Sequence, residues 1–334
     1  MNHNIISVSG GKDSTATLLL GIEREAENLQ AVFADTGHEH PDVYEYLDYL
    51  EGRLGILIRR IKPDFSSQIA RKRETIQTKW RNEGIPELVI NQALDVLHPT
   101  GIPFLDLCLL KGRFPSTMAR FCTEELKRNP MQQQVLYPLL EDPNTEDIWC
   151  WQGVRADESR ARAMLPESDE VKPGLFNYRP ILSWSAEEVF QFHRKHNVKW
   201  NPLYEKGMSR VGCMPCINCR KDELREIANR FPEEIQRIAE WERLVSMASK
   251  RQGSSFFGPS KMPGVSIDGL SNEEAQKHLS IDRVVEWAMT GRGGHTFDMF
   301  AAMSPDDGCS SAYGLCERPI FDTPETLIHK ESAA

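Results

Sequence analysis

The run Asn4-Ile5-Ile6-Ser7-Val8-Ser9-Gly10-Gly11-Lys12-Asp13-Ser14 decides the fold. Its first six residues are β-rich, and the paired glycines end the strand. Ser14 stands where an N-cap would, ahead of a helix reaching about Arg24 in which Ala16, Leu18, Leu19 and Leu20 are apolar nearly all round. A second strand reads as Ala31-Val32-Phe33-Ala34. Pro41 then opens a helix carrying Val43, Tyr46, Leu47 and Leu50, and Ile56 to Ile61 reads as a third strand. Strand, helix, strand, helix and strand with short links imply an α/β fold: a parallel twisted sheet with helices on both faces.

Farther along, residues 64–83 read as a basic helix with Arg71, Lys72, Arg73, Lys79 and Arg81. A less regular segment follows to about Phe121, punctuated by Pro86, Pro99, Pro103 and Pro115. The run Ile148 to Val154 is a buried-strand candidate, and Ser185-Ala186-Glu187-Glu188 is a capping box that starts a helix. Residues 221–250 read as helical, 252–265 as a loop, and the last 70 or so as a helical appendage with an irregular tail. This divides the chain into a nucleotide-binding domain, 1–222, and a helical and irregular C-terminal region, 223–334.

At 334 residues with 40% hydrophobic and 27% charged side chains, the chain has ordinary globular composition. No apolar run approaches the roughly 20 residues of a membrane span. The start, Met1-Asn2-His3-Asn4, lacks the basic region of a secretory signal, so a cytoplasmic location is expected. The formal net charge of −9 gives no global attraction to nucleic acid; such contact would need a local basic surface such as Arg71 to Arg81. Eight cysteines in a chain kept reduced point to metal ligation or catalysis rather than to disulfides.

The turn Ser9 to Ser14 is placed to receive an anion. Free amides and the positive helix end meet there, two glycines let the backbone approach closely, and Ser9, Ser14 and Lys12 supply donors. A Walker A loop is excluded, since that pattern needs glycine where Ile6 stands and Ser or Thr where Asp13 stands. Downstream, Cys213-x-x-Cys216-x-x-Cys219 has ligand spacing suited to an iron–sulfur centre, with zinc as the alternative. A fourth ligand is remote, with Cys122, Cys309 and Cys316 as candidates; Cys108 and Cys150, in apolar runs, read as buried thiols.

The run Val8 to Ser14 resembles the PP-loop, SGGxDS, of ATP pyrophosphatases and phosphoadenylyl-sulfate (PAPS) reductases. Ala34 to Glu39, Arg120 to Lys127, Gly153 to Arg160, Arg179-Pro180-Ile181, Asn201 to Tyr204 and Gly212 to Cys216 resemble the PAPS-reductase branch, so the likeness spans residues 4–222. It implies an adenine nucleotide alpha hydrolase-like sheet that holds ATP or a (phospho)adenylyl sulfate at its carboxyl edge. Ser9, Gly10, Gly11, Lys12, Asp13 and Ser14 would cradle phosphates, with Asp35 beside them on Mg²⁺ or the nucleotide. Gly153, Arg155, Ser159 and Arg162 would complete the nucleotide site, and Arg160, Lys127 and Arg120 are weaker members of the same group. Lys12, Asp13 and Asp35 would be catalytic.

The resemblance also implies a 4Fe–4S cluster. Cys122 matches the second member of the family's Cys-Cys pair, Phe121 replaces the first, and Cys213 and Cys216 match the downstream pair; Cys219 is the natural substitute for the missing ligand. The family's C-terminal Glu-Cys-Gly nucleophile has only Gly314-Leu315-Cys316-Glu317 as a counterpart. That departure favours the sulfur-transfer branch, in which ATP is split to AMP and pyrophosphate, with an unidentified sulfur donor and acceptor and a redox or cysteine-desulfurase partner. Reduction of PAPS or adenylyl sulfate is the alternative enzyme activity. A nucleotide-sensing module with structural zinc is the alternative of another class.

Overall fold

The structure, a computed structural model, describes residues 1–291. Its centre is a six-stranded sheet of order β3-β2-β1-β4-β6-β5. The strands are β1 (His3–Ser7), β2 (Leu29–Ala34), β3 (Ile58–Ile61), β4 (Ile148–Trp151), β5 (Ser168–Lys172) and β6 (Leu175–Tyr178). All neighbours are parallel except β5, which returns antiparallel along β6 as an edge hairpin. The sequence reading passed over this hairpin, although Pro173-Gly174 marks its turn and Gly174 takes the left-handed conformation. The α/β class stands, with one antiparallel edge added.

Alternation along the strands places helices on both faces. Ile6, Ala31, Phe33 and Ile58 join a large core with α1 (Lys12–Glu23), α2 (Pro41–Leu54), α3 (Ser66–Thr75), α4 (Glu87–Val96) and α5 (Pro103–Lys111). Ile5, Val32, Ile61 and Ile148 face the other way, onto Val135 and Leu136. These last belong to the helical run 121–140, whose stretches Glu124–Arg128 and Gln132–Leu136 are wound wide. Pro130 and Pro138 explain the winding: each removes a backbone donor and crowds the preceding turn.

Two readings of local structure are corrected. The segment before Phe121 is not irregular, because α4 and α5 lie within it; Pro86 and Pro103 start those helices rather than break them. Ser14 is not an N-cap. The helix begins at Lys12 with Gly11 as its cap, and Ser14 sits in the first turn.

The C-terminal region packs onto the same core. Pro232 splits the expected helix 221–250 into Lys221–Arg230 and Pro232–Ala248. The second carries Ile238, Trp241 and Val245 into the apolar cluster that also holds Ile6 and Leu18. Glu242, buried on that helix, accepts from the amides of Phe256 (2.7 Å) and Ile281 (3.0 Å), so one carboxylate fastens the 252–258 loop and the helix Ile281–Ala288. Among the described residues no helix is long and apolar enough to cross a membrane.

Burial pushes the carboxyls of Glu242 and Glu234 up to about 7, well above the ordinary glutamate range. The folded chain therefore holds these protons more tightly than the unfolded chain. Their contribution to stability is complete below the ordinary glutamate pKa and is lost as pH rises through 7. The melting temperature should fall between pH 5 and pH 8, and Glu242→Gln should flatten that slope even where it lowers stability overall.

Candidate functional site

Strand order reverses between β1 and β4: from β1 the chain moves outward to β2 and β3, then crosses back to β4 on the other side. In open α/β sheets such a switch point leaves a crevice at the carboxyl ends of the strands. The Ser9–Ser14 turn stands there. Gly10 has φ +75°, and a Cβ on it would come within 2.9 Å of Val43 Cγ1. Gly153, leaving β4, lies so close that a Cβ would stand 2.8 Å from the Ser14 amide nitrogen. Both positions therefore demand glycine.

The turn is braced from within and behind. Ser14 Oγ accepts from the Ser9 amide (3.1 Å) and donates to the Gly11 carbonyl (3.0 Å). The first amides of a helix lack intrahelical partners; Lys12 gives its own to the Tyr204 hydroxyl (2.9 Å). The Lys12 carbonyl accepts from His193 Nε2 (2.9 Å), whose imidazole burial keeps neutral.

Charge beneath the turn is arranged as a chain that runs from the buried Lys12 and Arg155 out to the exposed Asp157. Lys12 Nζ bonds Asp13 Oδ2 (2.7 Å), Asp13 Oδ1 pairs with Arg155 Nε (2.7 Å), and Arg155 Nη1 reaches Asp157 Oδ2 (2.6 Å). Arg155 is 0% exposed and lines neither of the cavities at the turn. Burial lowers the Lys12 pKa, with Asp13 opposing it. Two residues expected to meet phosphate thus both pair with Asp13, one at each carboxylate oxygen, and Asp13 itself lines the smaller cavity described next.

Two cavities flank the turn and share Ser9, Ser14 and Gly153. The larger, about 600 Å³, is walled by apolar side chains such as Ile5, Phe33, Met131 and Leu175, with Glu39, Lys127 and Arg128 as charged members. The smaller, about 210 Å³, is polar and is lined by Gly11, Asp13, Glu158, Arg162, Tyr204 and Arg210. Arg162, expected at the nucleotide site, lines this smaller cavity and is paired with Glu158. Arg210 was missed, though a cation two residues before Gly212-Cys213 was a signal. Ser159 caps the short helix Arg160–Ala163, accepting from the Arg162 amide (3.2 Å), and positions rather than lines. Cys150, read as a buried thiol, lines the large cavity, and burial pushes it up to about 11.

Asp35 is also drawn inward. Its Oδ1 accepts from the Gly37 amide (2.9 Å) and the Tyr44 hydroxyl (2.8 Å), fixing the turn after β2, and it is not among the cavity-lining residues. Glu39, which the sequence reading did not single out, lines the large cavity instead. It accepts from Thr36 Oγ1 (2.7 Å) and the His38 amide (3.2 Å), and Cys213 Sγ lies 3.8 Å from its Oε1.

The thiol loop is tied to this turn. Met214 N donates to the His38 carbonyl (2.9 Å), His38 Nε2 meets the Pro215 carbonyl (2.8 Å), and Arg237 bonds both Met214 O (2.8 Å) and His38 Nδ1 (3.1 Å). Cys216 stands electrostatically next to Cys122, Cys213 and Cys219, raising each of them behind the larger effect of burial. Cys213 and Cys219 are pushed up to about 12, while Cys213 in turn raises the Lys127 pKa. Among the described residues, however, no three His, Cys, Asp or Glu side chains converge tightly enough to hold a metal ion. Cys309 and Cys316 lie outside the described residues.

A doubly wound sheet with a glycine-rich anion turn at its switch point defines a nucleotide-binding type of α/β protein. The chain belongs to the phosphoadenosine phosphosulfate reductase domain family, whose model matches residues 3–219. It is 48% identical to an uncharacterized 37.8 kDa protein of Escherichia phage 186, over 94% of this chain and 96% of that one. It is 26% identical to a phosphoadenosine 5'-phosphosulfate reductase of Buchnera aphidicola, over 62% of this chain and 68% of the relative. Identity is also 26% to an adenosine 5'-phosphosulfate reductase of Allochromatium vinosum, 64% of which is spanned. Among solved structures, the PAPS reductase of Candida auris is matched at 17% identity and a TM-score of 0.37, over 63% of this chain and 81% of that one.

Arg155→Ala should destabilise the fold by about 3 kcal/mol in urea unfolding, because it removes a fully buried guanidinium from Asp13 Oδ1 and empties the space it fills. Arg162→Ala, at a half-exposed position, should change stability by less than about 1 kcal/mol. Equal losses from both would contradict the division between braced and site-facing arginines.

Proposed function

We propose that the chain binds an adenine nucleotide across the β1–β4 crevice and activates it for sulfur transfer. The observation that carries this reading is the glycine-rich turn standing between an apolar cavity, lined by Gly212, and a polar one, lined by Arg210 and Val211, where the chain enters the thiol loop. The large cavity suits adenine and ribose. The small one suits the phosphates, with the Ser9 hydroxyl and the Arg162 and Arg210 guanidiniums as donors and Ser14 bracing the turn. A substrate oxygen attacks the α-phosphorus, the bond to the β-phosphate oxygen breaks, and pyrophosphate leaves with the electron pair. Donors already aimed at that leaving group lower the barrier without reorganising.

Mg²⁺ fits as a companion of the phosphates rather than as an ion in a protein cage. Both Asp13 oxygens are taken by cations, and Asp35 is engaged at Oδ1. Mg²⁺ commonly binds with few protein carboxylates and the substrate phosphates. Cys122, Cys213, Cys216 and Cys219 would be the donors of a 4Fe–4S cluster in this reading, zinc being the alternative; as they stand they are neighbours that do not converge on one ion. Soft thiols beside Lys127 and Lys261 suit such a centre, which supplies electrons or a carrier for sulfur when bound. Residues 1–222 then hold the nucleotide and thiols, and the described part of 223–334, up to residue 291, buttresses them.

Sulfonucleotide reduction is the second reading, favoured by the names of the Buchnera and Allochromatium relatives. The two are separated by turnover. Incubation with ATP and Mg²⁺ should yield AMP and pyrophosphate, and Ser14→Ala or Arg210→Ala should cut that rate at least tenfold. Sulfite released from adenylyl sulfate, with ATP left intact, would replace the first reading by the second.

The metal is tested separately. Anaerobically purified chain should be brown and carry about four iron and four sulfide per molecule. Colourless protein with one zinc would remove the cluster.

A further inference from the structure

A separate cavity of about 170 Å³ meets the thiol loop on another side. Pro115, Ile217, Cys219, Phe256 and Phe257 are its buried members, while Thr117, Asn218, Gly258 and Ser260 are exposed at its mouth. It shares no lining residue with the two cavities at the anion turn. Residues 210–212 wall those cavities and residues 217–219 wall this one, so the segment between them is a partition with thiols along it. Phe256, Phe257 and Lys261 lie beyond residues 3–219, the part that the family model matches.

The lining selects a ligand class. Lys261 supplies the charge: its ammonium donates to the Cys219 carbonyl, lies 3.8 Å from Cys219 Sγ and stands 4.7 Å over the Phe257 ring. Asn218, Ser116, Thr117 and Ser260 add neutral donors, and no carboxylate stands among the described residues that line the space. The volume is too small for a nucleotide, whose class of ligand takes roughly 300–1,000 Å³. It is several times the roughly 30 Å³ share of one water molecule. An ammonium among neutral donors takes an anion, and two aromatic rings beside a thiol favour polarisable sulfur over hard oxygen alone.

We propose that this cavity binds a small inorganic sulfur anion of the thiosulfate type and brings it to Cys219 from the side away from the nucleotide. The inference rests on the reading that the thiol loop handles sulfur. It gives sulfur and nucleotide separate entrances, so neither has to leave for the other to arrive.

The test is calorimetric titration of sodium thiosulfate into the full chain, with and without saturating AMP. One thiosulfate per chain should bind, AMP should not displace it, and sulfate should bind at least tenfold more weakly. Lys261→Met should weaken thiosulfate at least tenfold while Lys261→Arg keeps most of the affinity. Ser260→Phe, at the exposed mouth, should block entry without touching the core. No thiosulfate binding, displacement by AMP, sulfate binding as tightly, or unchanged affinity in both Lys261→Met and Ser260→Phe would each overturn the proposal. Titration of AMP alone keeps the two ideas apart: if AMP fails to bind, the nucleotide reading falls while a thiosulfate site stands or falls on its own data.

Discussion

The charged chain Lys12–Asp13–Arg155–Asp157 is the interaction on which the site depends. It ties the end of β1 to the segment leaving β4, the two strands between which the sheet changes direction. The two buried cations of this chain, Lys12 and Arg155, are tolerable away from water only because each finds a carboxylate. The pairing therefore fixes the distance between the two strand ends, and the anion turn inherits that rigidity. Gly10 and Gly153 express the same constraint sterically, since neither position leaves room for a side chain. A turn held this firmly presents its amides and hydroxyls without having to rearrange around a ligand.

A second set of ties brings the thiol loop alongside. The loop 213–219 is fastened to the turn after β2 through His38 and Arg237, and Arg237 comes from the helix Pro232–Ala248. His38 itself packs between Phe104 and Trp241, with ring centroids 4.4 and 5.0 Å away. Residues beyond the family match thus hold the thiols at the edge of the larger cavity and help to build the cavity that reaches Cys219. The C-terminal region is part of the site's architecture. Its own anchor, Glu242, is a carboxylate whose burial makes that anchoring sensitive to pH.

The anion turn, the cysteine spacing and the capping box at Ser185 were all readable from the chain, because each is a short pattern whose physics is local. Arg155 shows where such reading ends. Its motif and residue type suggested a phosphate fork, yet the fold turns it inward onto Asp13. Arg210 and Glu39 show the converse, with ordinary surroundings in sequence but a place on a cavity wall. A side chain's direction depends on which distant backbone lies behind it, and no local period carries that information.

By itself, then, the amino-acid order determined the α/β class, the position of the anion turn and the thiol-bearing loop. Hydrophobic alternation, paired glycines and ligand spacing act within a few residues of each other. Tertiary structure alone decided which cations are structural and which face a ligand, which thiols are neighbours, and that two separate hollows meet one loop. Those outcomes follow from long-range packing, where burial and ion pairing between remote segments settle the competition for each charged group.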